Sequence, residues 1–471
     1  MNSAGMVSCL ETEEKTIRCL FGTDGVRDVA NRGAMTPEMA LRLGRSFVLF
    51  LTERGFPRPR IAVGRDTRRS GRMLEAALSA GMASAGAEVS LLGVMTTPGV
   101  SFAVRRMGLT GGAVISASHN PAEYNGIKFL DFEGKKLPDE LEGSIEEYMG
   151  DNLTDDWRPT GASIGDIRDA SCMIGEYVDR IVSLWEDESP FPPDGVVDCA
   201  HGAAVEAASR IFRKLGKDWR IIGDQPDGLN INEGVGVMNI SHLADSVKKH
   251  GVPIGIAYDG DADRALLVDG RGRVLNGDIM LWVLARWLSR HDRLGSGVVA
   301  TVMSNMALEE HLGREGVKVF RCQVGDRYVM DAMSREGARL GGEQSGHIIL
   351  SDYVTTGDGL CTGLLFLRAC VELEEEIDTL VDRFSPYPQL LRNVDFSRDA
   401  DLCGNFIREI SLEAESMLQG AGRVLIRPSG TEPLMRILVE ARDRGLMEMV
   451  SEKLVDAIKS RCGSQGTWPG R

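Results

Sequence analysis

Asp259, Asp261 and Asp263 form a compact set of hard oxygen ligands directly after the apolar run Ile254-Gly-Ile-Ala. Carboxylates two positions apart diverge on a helix but share one side of an extended segment. Gly260 and Ala262 leave the backbone between them free to curl, so three oxygens can converge on one hard cation such as Mg²⁺, with positions left for a phosphate. An EF-hand, another use of this spacing, fails: its sixth position is Arg264 instead of Gly and its twelfth is Gly270 instead of Glu. A solvated acidic turn fits the segment as well when it is read alone.

Four further segments carry groups that could do chemistry. Ser116-Ala-Ser-His-Asn-Pro121 ends a strand begun at Gly112-Ala-Val and sets the Ser118 hydroxyl beside the His119 imidazole. Ser and Asn are also ordinary turn residues, and without Gly-x-Ser-x-Gly this is no nucleophile elbow. Asn125-Gly-Ile-Lys128 reads as a tight turn that returns the Lys128 ammonium to Ser118, as acid/base or phosphate ligand. In Arg427-Pro-Ser-Gly-Thr-Glu-Pro433, the Arg427 fork with Ser429, Gly430 and Thr431 suits a phosphate dianion, and Arg436 offers a second cation. A plain hairpin turn explains that segment equally. Gly342-Glu-Gln-Ser-Gly-His347 places Glu343, Gln344 and Ser345 where they can read sugar hydroxyls or simply form a polar loop. Phe21-Gly-Thr-Asp-Gly-Val-Arg27 is equally open.

These segments need elements to hold them. Strand–helix–strand units recur three times: strand 60–64, helix 73–85 and strand 88–92; then 195–199, 204–215 and 219–222; then 297–302, 306–313 and 317–320. Short β-branched runs of this kind suit buried strands in α/β layers. The C-terminal part differs, with strands at 423–426 and 434–440 and a helix at 446–459, after the linker Ser385-Pro-Tyr-Pro. The expected fold class is α/β, as three consecutive α/β domains of similar topology (18–170, 171–270 and 271–385) plus a smaller C-terminal α+β domain (386–465).

Composition narrows the function. The 471 residues are 43% apolar and 26% charged, the balance of a soluble globular enzyme with several domains. A net charge of −15 without a basic run argues against nucleic acid, so an enzyme of anionic substrates must gather positive charge locally. Nine scattered cysteines, with no Cys-x-x-Cys, suggest neither a disulfide framework nor a zinc site. No signal peptide or membrane span is expected, and the expected location is the cytoplasm.

The order of the five segments along one chain resembles the α-D-phosphohexomutase superfamily, over about Leu20 to Ile458. The resemblance implies four domains around a central cleft and a phosphosugar mutase activity. Ser118 would be phosphorylated, with Mg²⁺ held by Asp259, Asp261, Asp263 and a phosphoserine oxygen. His119 and Lys128 would serve proton transfer, while Arg27 and Arg264 steady charge. Glu343 and Ser345 would grip the sugar, and Arg427, Ser429, Gly430 and Thr431 would hold the distal phosphate, joined by Arg436. Residues 324–329, which include Asp326 and Arg327, together with Gln344 and residues 352–359, are similar to the amino-sugar branch; the branch acting on mannose and glucose phosphates more often has Met at the position of Gln344. Ala262 and Tyr124 depart from the branch pattern, which more often has Gly and Asp there. The expected partners are a small phosphosugar and its hexosamine 1,6-bisphosphate intermediate, and a homodimer is compatible with this reading. A phosphoserine-dependent phosphatase and a non-catalytic sugar-phosphate sensor are the rivals from other classes.

Overall fold

The structure is a computed structural model and describes residues 20–22, 25–149, 158–185, 194–216, 219–395, 400–428 and 434–462. Its strands are short apolar runs that assemble into four sheets. The first contains β1 (Val26–Val29), β2 (Arg60–Arg65), β3 (Glu88–Val94), β4 (Gly111–Ile115), β5 (Tyr124–Leu130) and β6 (Ile167–Asp169), in the order β1-β5-β4-β2-β3-β6. The second contains β7 (Gly195–Asp198), β8 (Arg220–Ile222), β9 (Ile254–Tyr258), β10 (Ala265–Asp269) and β11 (Val274–Leu275), in the order β11-β10-β9-β7-β8. The third is β12 (Val298–Thr301), β13 (Val319–Cys322), β14 (Leu340–Gly342) and β15 (Ile348–Leu350), ordered β13-β12-β14-β15.

These three sheets repeat one unit. A central strand (β2, β7 or β12) has a parallel neighbour on each side, and the inner neighbour turns back into an antiparallel strand (β5, β10 or β15). Parallel pairs need crossovers, supplied by the helices Arg69–Ser84, Ala204–Lys214 and Met306–Arg314. The first of these begins at Arg69, four residues before the apolar pattern alone suggests. The fourth sheet is antiparallel: β16 (Gln389–Asp395), β17 (Gly422–Pro428) and β18 (Leu434–Ala441), ordered β16-β18-β17. It carries the helices Ala400–Leu418 and Arg444–Cys462, of which the first has no counterpart in the sequence reading.

The antiparallel return is the functional part of each repeat. Residues 116–123 join β4 to β5, residues 259–264 join β9 to β10, and residues 343–347 join β14 to β15. Three of the chemistry-bearing segments are thus equivalent loops of one repeated topology.

A shared apolar core holds these repeats together. It includes Val104 and Tyr177, Ile256 and Leu267, and Leu340 and Ile348, with the almost wholly buried helices Gly277–Arg290 and Gly359–Glu372. The fourth sheet has its own core around Phe406, Ile437 and Leu454. Its seam with the third repeat is polar. Buried Glu440 accepts from Arg423 Nη2 at 2.9 Å and from the Met306 amide, and Asn305 exchanges two hydrogen bonds of 3.0 Å with the Tyr387 backbone. Such bonds exchange with water at little net cost, so this seam resists motion less than shared apolar burial does.

Candidate active site

Ser118 follows β4 in a left-handed conformation with φ of 49°, which a non-glycine residue keeps only where its surroundings impose it. Here they do. Its amide donates to Ser116 Oγ at 3.0 Å, and its carbonyl accepts from Arg68 Nη2 at 3.0 Å and Asn232 Nδ2 at 2.9 Å. Arg68 is itself buried, paired with Asp66 at 2.8 Å, and also bonds the carbonyls of Asn120 and Tyr124. With its backbone held this way, Ser118 turns its hydroxyl across to the second repeat, where it donates to Asp259 Oδ2 at 2.6 Å.

The aspartates do converge, but not as an extended segment. Residues 259–264 form a turn in which the Ala262 amide donates to the Asp259 carbonyl at 3.1 Å and Ala262 takes φ of 58°. Curling, not alternation, gathers the carboxylates, with one oxygen of each within 4.8 Å of the others. All three are buried. Burial and the carboxylates of Asp263 and Asp261 push Asp259 well above the usual carboxylate range. Burial would raise Asp263 too, but His347, Lys128 and Arg264 hold it well below. Asp261 Oδ1 and Asp263 Oδ1 have no hydrogen-bond partner among the described residues. Buried, mutually repelling and partly unsatisfied hard oxygens fit a divalent cation such as Mg²⁺, which would relieve repulsion and desolvation together.

Each repeat adds a group to this cluster. From the first, Lys128 Nζ lies 3.6 Å from Asp261 Oδ2, and Thr97 Oγ1 donates to the same oxygen at 2.6 Å. Lys128 is not on a turn: it arrives in β5, paired opposite Val114 of β4. From the third repeat, His347 Nδ1 reaches to 3.6 Å from Asp263 Oδ2. Contact with Asp263 raises the His347 pKa against the opposing effect of burial. Sequence reasoning misses Thr97 and Arg68, and gives no role to Asn232, which closes the branch-like segment 226–232, or to His347. A Thr-Pro helix start and an Arg beside an Asp are too common to flag a site.

His119 is half-buried, and burial, then Arg264 and Arg27, lower its pKa to about 4. It is therefore neutral near pH 7. Arg264 Nη1 lies 3.4 Å from His119 Nδ1, and since a guanidinium can only donate, Nδ1 accepts and the proton sits on Nε2. Burial of Arg264 is outweighed by Asp263, Asp259, Glu343 and Asp261, which keep it cationic. Arg27 donates to Asn120 Oδ1 at 3.1 Å, in the Ser118 loop.

In the third repeat, Glu343 accepts from the Gly325 amide at 2.9 Å and from Ser345 Oγ at 3.0 Å, so the two expected sugar ligands bond each other. Asp326 and Arg327 begin the helix Asp326–Glu336 next to Gly325, and Asp326 lies 3.8 Å from Lys136 of the first repeat. Gln344 Nε2 donates to Gln389 Oε1 of β16 at 3.3 Å. Arg427 and Arg436 stand directly opposite on β17 and β18, and burial followed by Arg436 lowers the Arg427 pKa. Like charges placed opposite across strands are unfavourable unless an anion joins them. Ser429, Gly430 and Thr431 lie outside the described residues.

Three repeats that meet at a serine and a carboxylate cluster, with a fourth domain beside them, define a class of protein, and the chain belongs to it: the phosphoglucomutase/phosphomannomutase family. Models of the family's alpha/beta/alpha domains I, II and III match residues 18–155, 175–272 and 276–387, and that of its C-terminal domain matches 391–457. Within the family the chain is similar to phosphoglucosamine mutases. It is 42% identical over 447 residues to that of Bacillus velezensis and 44% over 447 residues to that of Paracoccus denitrificans, covering 94% of this chain and 99% of each relative. A solved phosphoglucomutase/phosphomannomutase family protein from Burkholderia thailandensis shares the fold, with TM-score 0.79 and 24% identity over 94% of this chain and 97% of that one. No helix among the described residues is long and apolar enough to cross a membrane.

Proposed function

We propose that the chain interconverts glucosamine 6-phosphate and glucosamine 1-phosphate through a phosphorylated Ser118. The observation that carries this reading is the 2.6 Å contact from Ser118 Oγ to Asp259 Oδ2. A phosphoryl group on that oxygen lies against the carboxylates suited to a metal. The relatives' name supplies the amino sugar.

Asp259, Asp261 and Asp263 would hold Mg²⁺ with an oxygen of phosphoserine 118, and the bound ion would offset charge on the transferring group. O1 of glucosamine 6-phosphate attacks the phosphoserine phosphorus, and the Ser118 Oγ–P bond breaks as the O1–P bond forms. The resulting 1,6-bisphosphate turns end for end. Ser118 Oγ then attacks the 6-phosphate, and glucosamine 1-phosphate leaves.

Lys128, buried in the cluster, would give a proton to Ser118 Oγ as the phosphoryl group leaves and, once neutral, take one back from a reacting hydroxyl. Neutral His119 acts as a hydrogen-bond partner beside Ser118 and not as an imidazolium acid. Arg27 and Arg264 offset charge on the Ser118 loop. Glu343 and Ser345 exchange their mutual bond for sugar hydroxyls, flanked by Asp326 and Arg327. The distal phosphate falls to Arg427, Ser429, Gly430, Thr431 and Arg436. Rotation of the fourth domain at its polar seam would admit substrate and let the intermediate turn; identical free and bound scattering profiles would refute that motion. Such an enzyme would work in the cytoplasm on a diffusible substrate, with homodimerisation open to sedimentation.

The test is turnover by purified protein with Mg²⁺ and a trace of hexose 1,6-bisphosphate. Glucosamine 6-phosphate should be strongly preferred over mannose and glucose 6-phosphates, and Ser118→Ala should abolish turnover. Preference for a neutral hexose would overturn the amino-sugar assignment and leave the phosphoserine mechanism intact.

A further inference from the structure

A second concentration of positive charge lies outside the cleft. Arg65, Arg68, Arg69 and Arg72 fall within eight residues of a chain whose net charge is −15. Arg65 ends β2, and the helix Arg69–Ser84 begins at once, so the turn between them gathers all four. With Thr67, Val94 and residues 226–228 of the second repeat they line a cavity of about 380 Å³, within the range of small-ligand sites.

Two of these charges have partners. Arg68 pairs with Asp66 at 2.8 Å and Arg65 with Glu75 at 3.1 Å. The exposed side chains of Arg69 and Arg72 have no hydrogen bond or ion pair among the described residues. They stand three positions apart at the start of their helix, where like charges repel and the dipole is positive. That first turn contains no acidic residue and no side-chain cap. Asp227, the carboxylate at the rim, caps its own turn by accepting from the Leu229 amide at 2.7 Å. The loop is pressed onto the helix start: the Gly228 carbonyl accepts from the Arg69 amide at 2.9 Å, and a Cβ on Gly228 would meet Arg69 atoms at 3.1–3.3 Å.

We propose that this cavity is an anion site distinct from the cleft, in which Arg69 and Arg72 take a phosphate group, free or carried on a small metabolite. Paired guanidinium forks match phosphate geometry, and a phosphate removes the repulsion that the bare helix start bears. The site shares a wall with the catalytic loop, because Arg68 holds the carbonyls of Ser118 and Asn120. Its occupancy therefore stiffens the nucleophile's loop from behind.

Hydrogen–deuterium exchange of the full chain, with and without inorganic pyrophosphate, reads the site directly. Exchange should slow in peptides covering residues 65–76 and 224–230. Arg69→Ala with Arg72→Ala should remove that protection, keep any protection of residues 259–264 and 343–347, and leave turnover within about twofold. Unchanged exchange elsewhere in the chain certifies its fold, and Arg69→Lys with Arg72→Lys should keep part of the effect. Parallel arms with inorganic phosphate and a phosphate monoester separate the free ion from a carried group. Protection confined to the cleft loops, protection surviving in the double Ala variant, or equal protection by sodium chloride at matched ionic strength would overturn the proposal.

Discussion

Thr97 Oγ1 donates to Asp261 Oδ2 at 2.6 Å, and the Thr97 amide donates to the Asp261 carbonyl at 3.0 Å. The two bonds pin a carboxylate of the second repeat to a helix start of the first, and they leave Asp261 Oδ1 without a hydrogen-bond partner among the described residues. Thr97→Val should weaken Mn²⁺ or Mg²⁺ binding by about 10–100-fold, the usual effect of losing a group that orients a metal ligand. Thr97→Ser keeps the hydroxyl and should stay near wild type. Mn²⁺ titration followed by electron paramagnetic resonance measures both without reference to turnover.

Asp259 is buried beside two other carboxylates, and that repulsion is worst without metal. In EDTA, Asp259→Asn should therefore raise stability, on the order of 1–3 kcal/mol. In excess Mg²⁺ the ranking should reverse, because only the wild type keeps the full stabilisation from ligand binding. Thermal midpoints of both proteins in the two buffers should cross.

Asp358 caps the helix Gly359–Glu372, accepting from the Cys361 amide at 3.0 Å and from Tyr177 Oη at 2.9 Å. Burial nevertheless pushes its pKa up to about 6. The folded value lies above the unfolded one, so the folded state holds the extra proton. The group's stabilising contribution is full below about pH 4 and is lost as pH rises through about 6, a swing of about 3 kcal/mol. Asp358→Asn removes that titration. Relative to wild type, its urea midpoint should improve between pH 4.5 and pH 7.5.

Glu440 is fully buried in β18 and joins the Arg423 guanidinium to the start of the helix Met306–Arg314. Glu440→Ala takes the carboxylate from Arg423, which keeps its bond to the Ser304 carbonyl, at the seam between the third and fourth domains. The expected loss is about 3 kcal/mol, the low end for breaking a buried pair because Arg423 is partly exposed. Urea unfolding should show the loss, and small-angle scattering should show a broader distribution of shapes.

Much of this molecule is legible in the chain. The three repeats announce themselves because short β-branched runs and crossover helices depend on neighbouring residues. Ser118 and the three aspartates stand out because each occupies a segment of six residues dense in reactive types. The convergence of these segments is another matter. Lys128 reaches the cluster through its register opposite Val114, and the carboxylates meet because Ala262 turns left-handed. Thr97 lies 164 residues from Asp261, and Asn232 lies 114 from Ser118. The arginines at 65–72 are masked in composition by Asp66 and Glu75, and become a cavity wall only when the helix start and residues 226–228 close on them. Local pattern sets strands, helices and loops because it acts over a few residues. Which loops meet is settled by burial of a core common to three repeats, an energy that exists only once distant segments have packed.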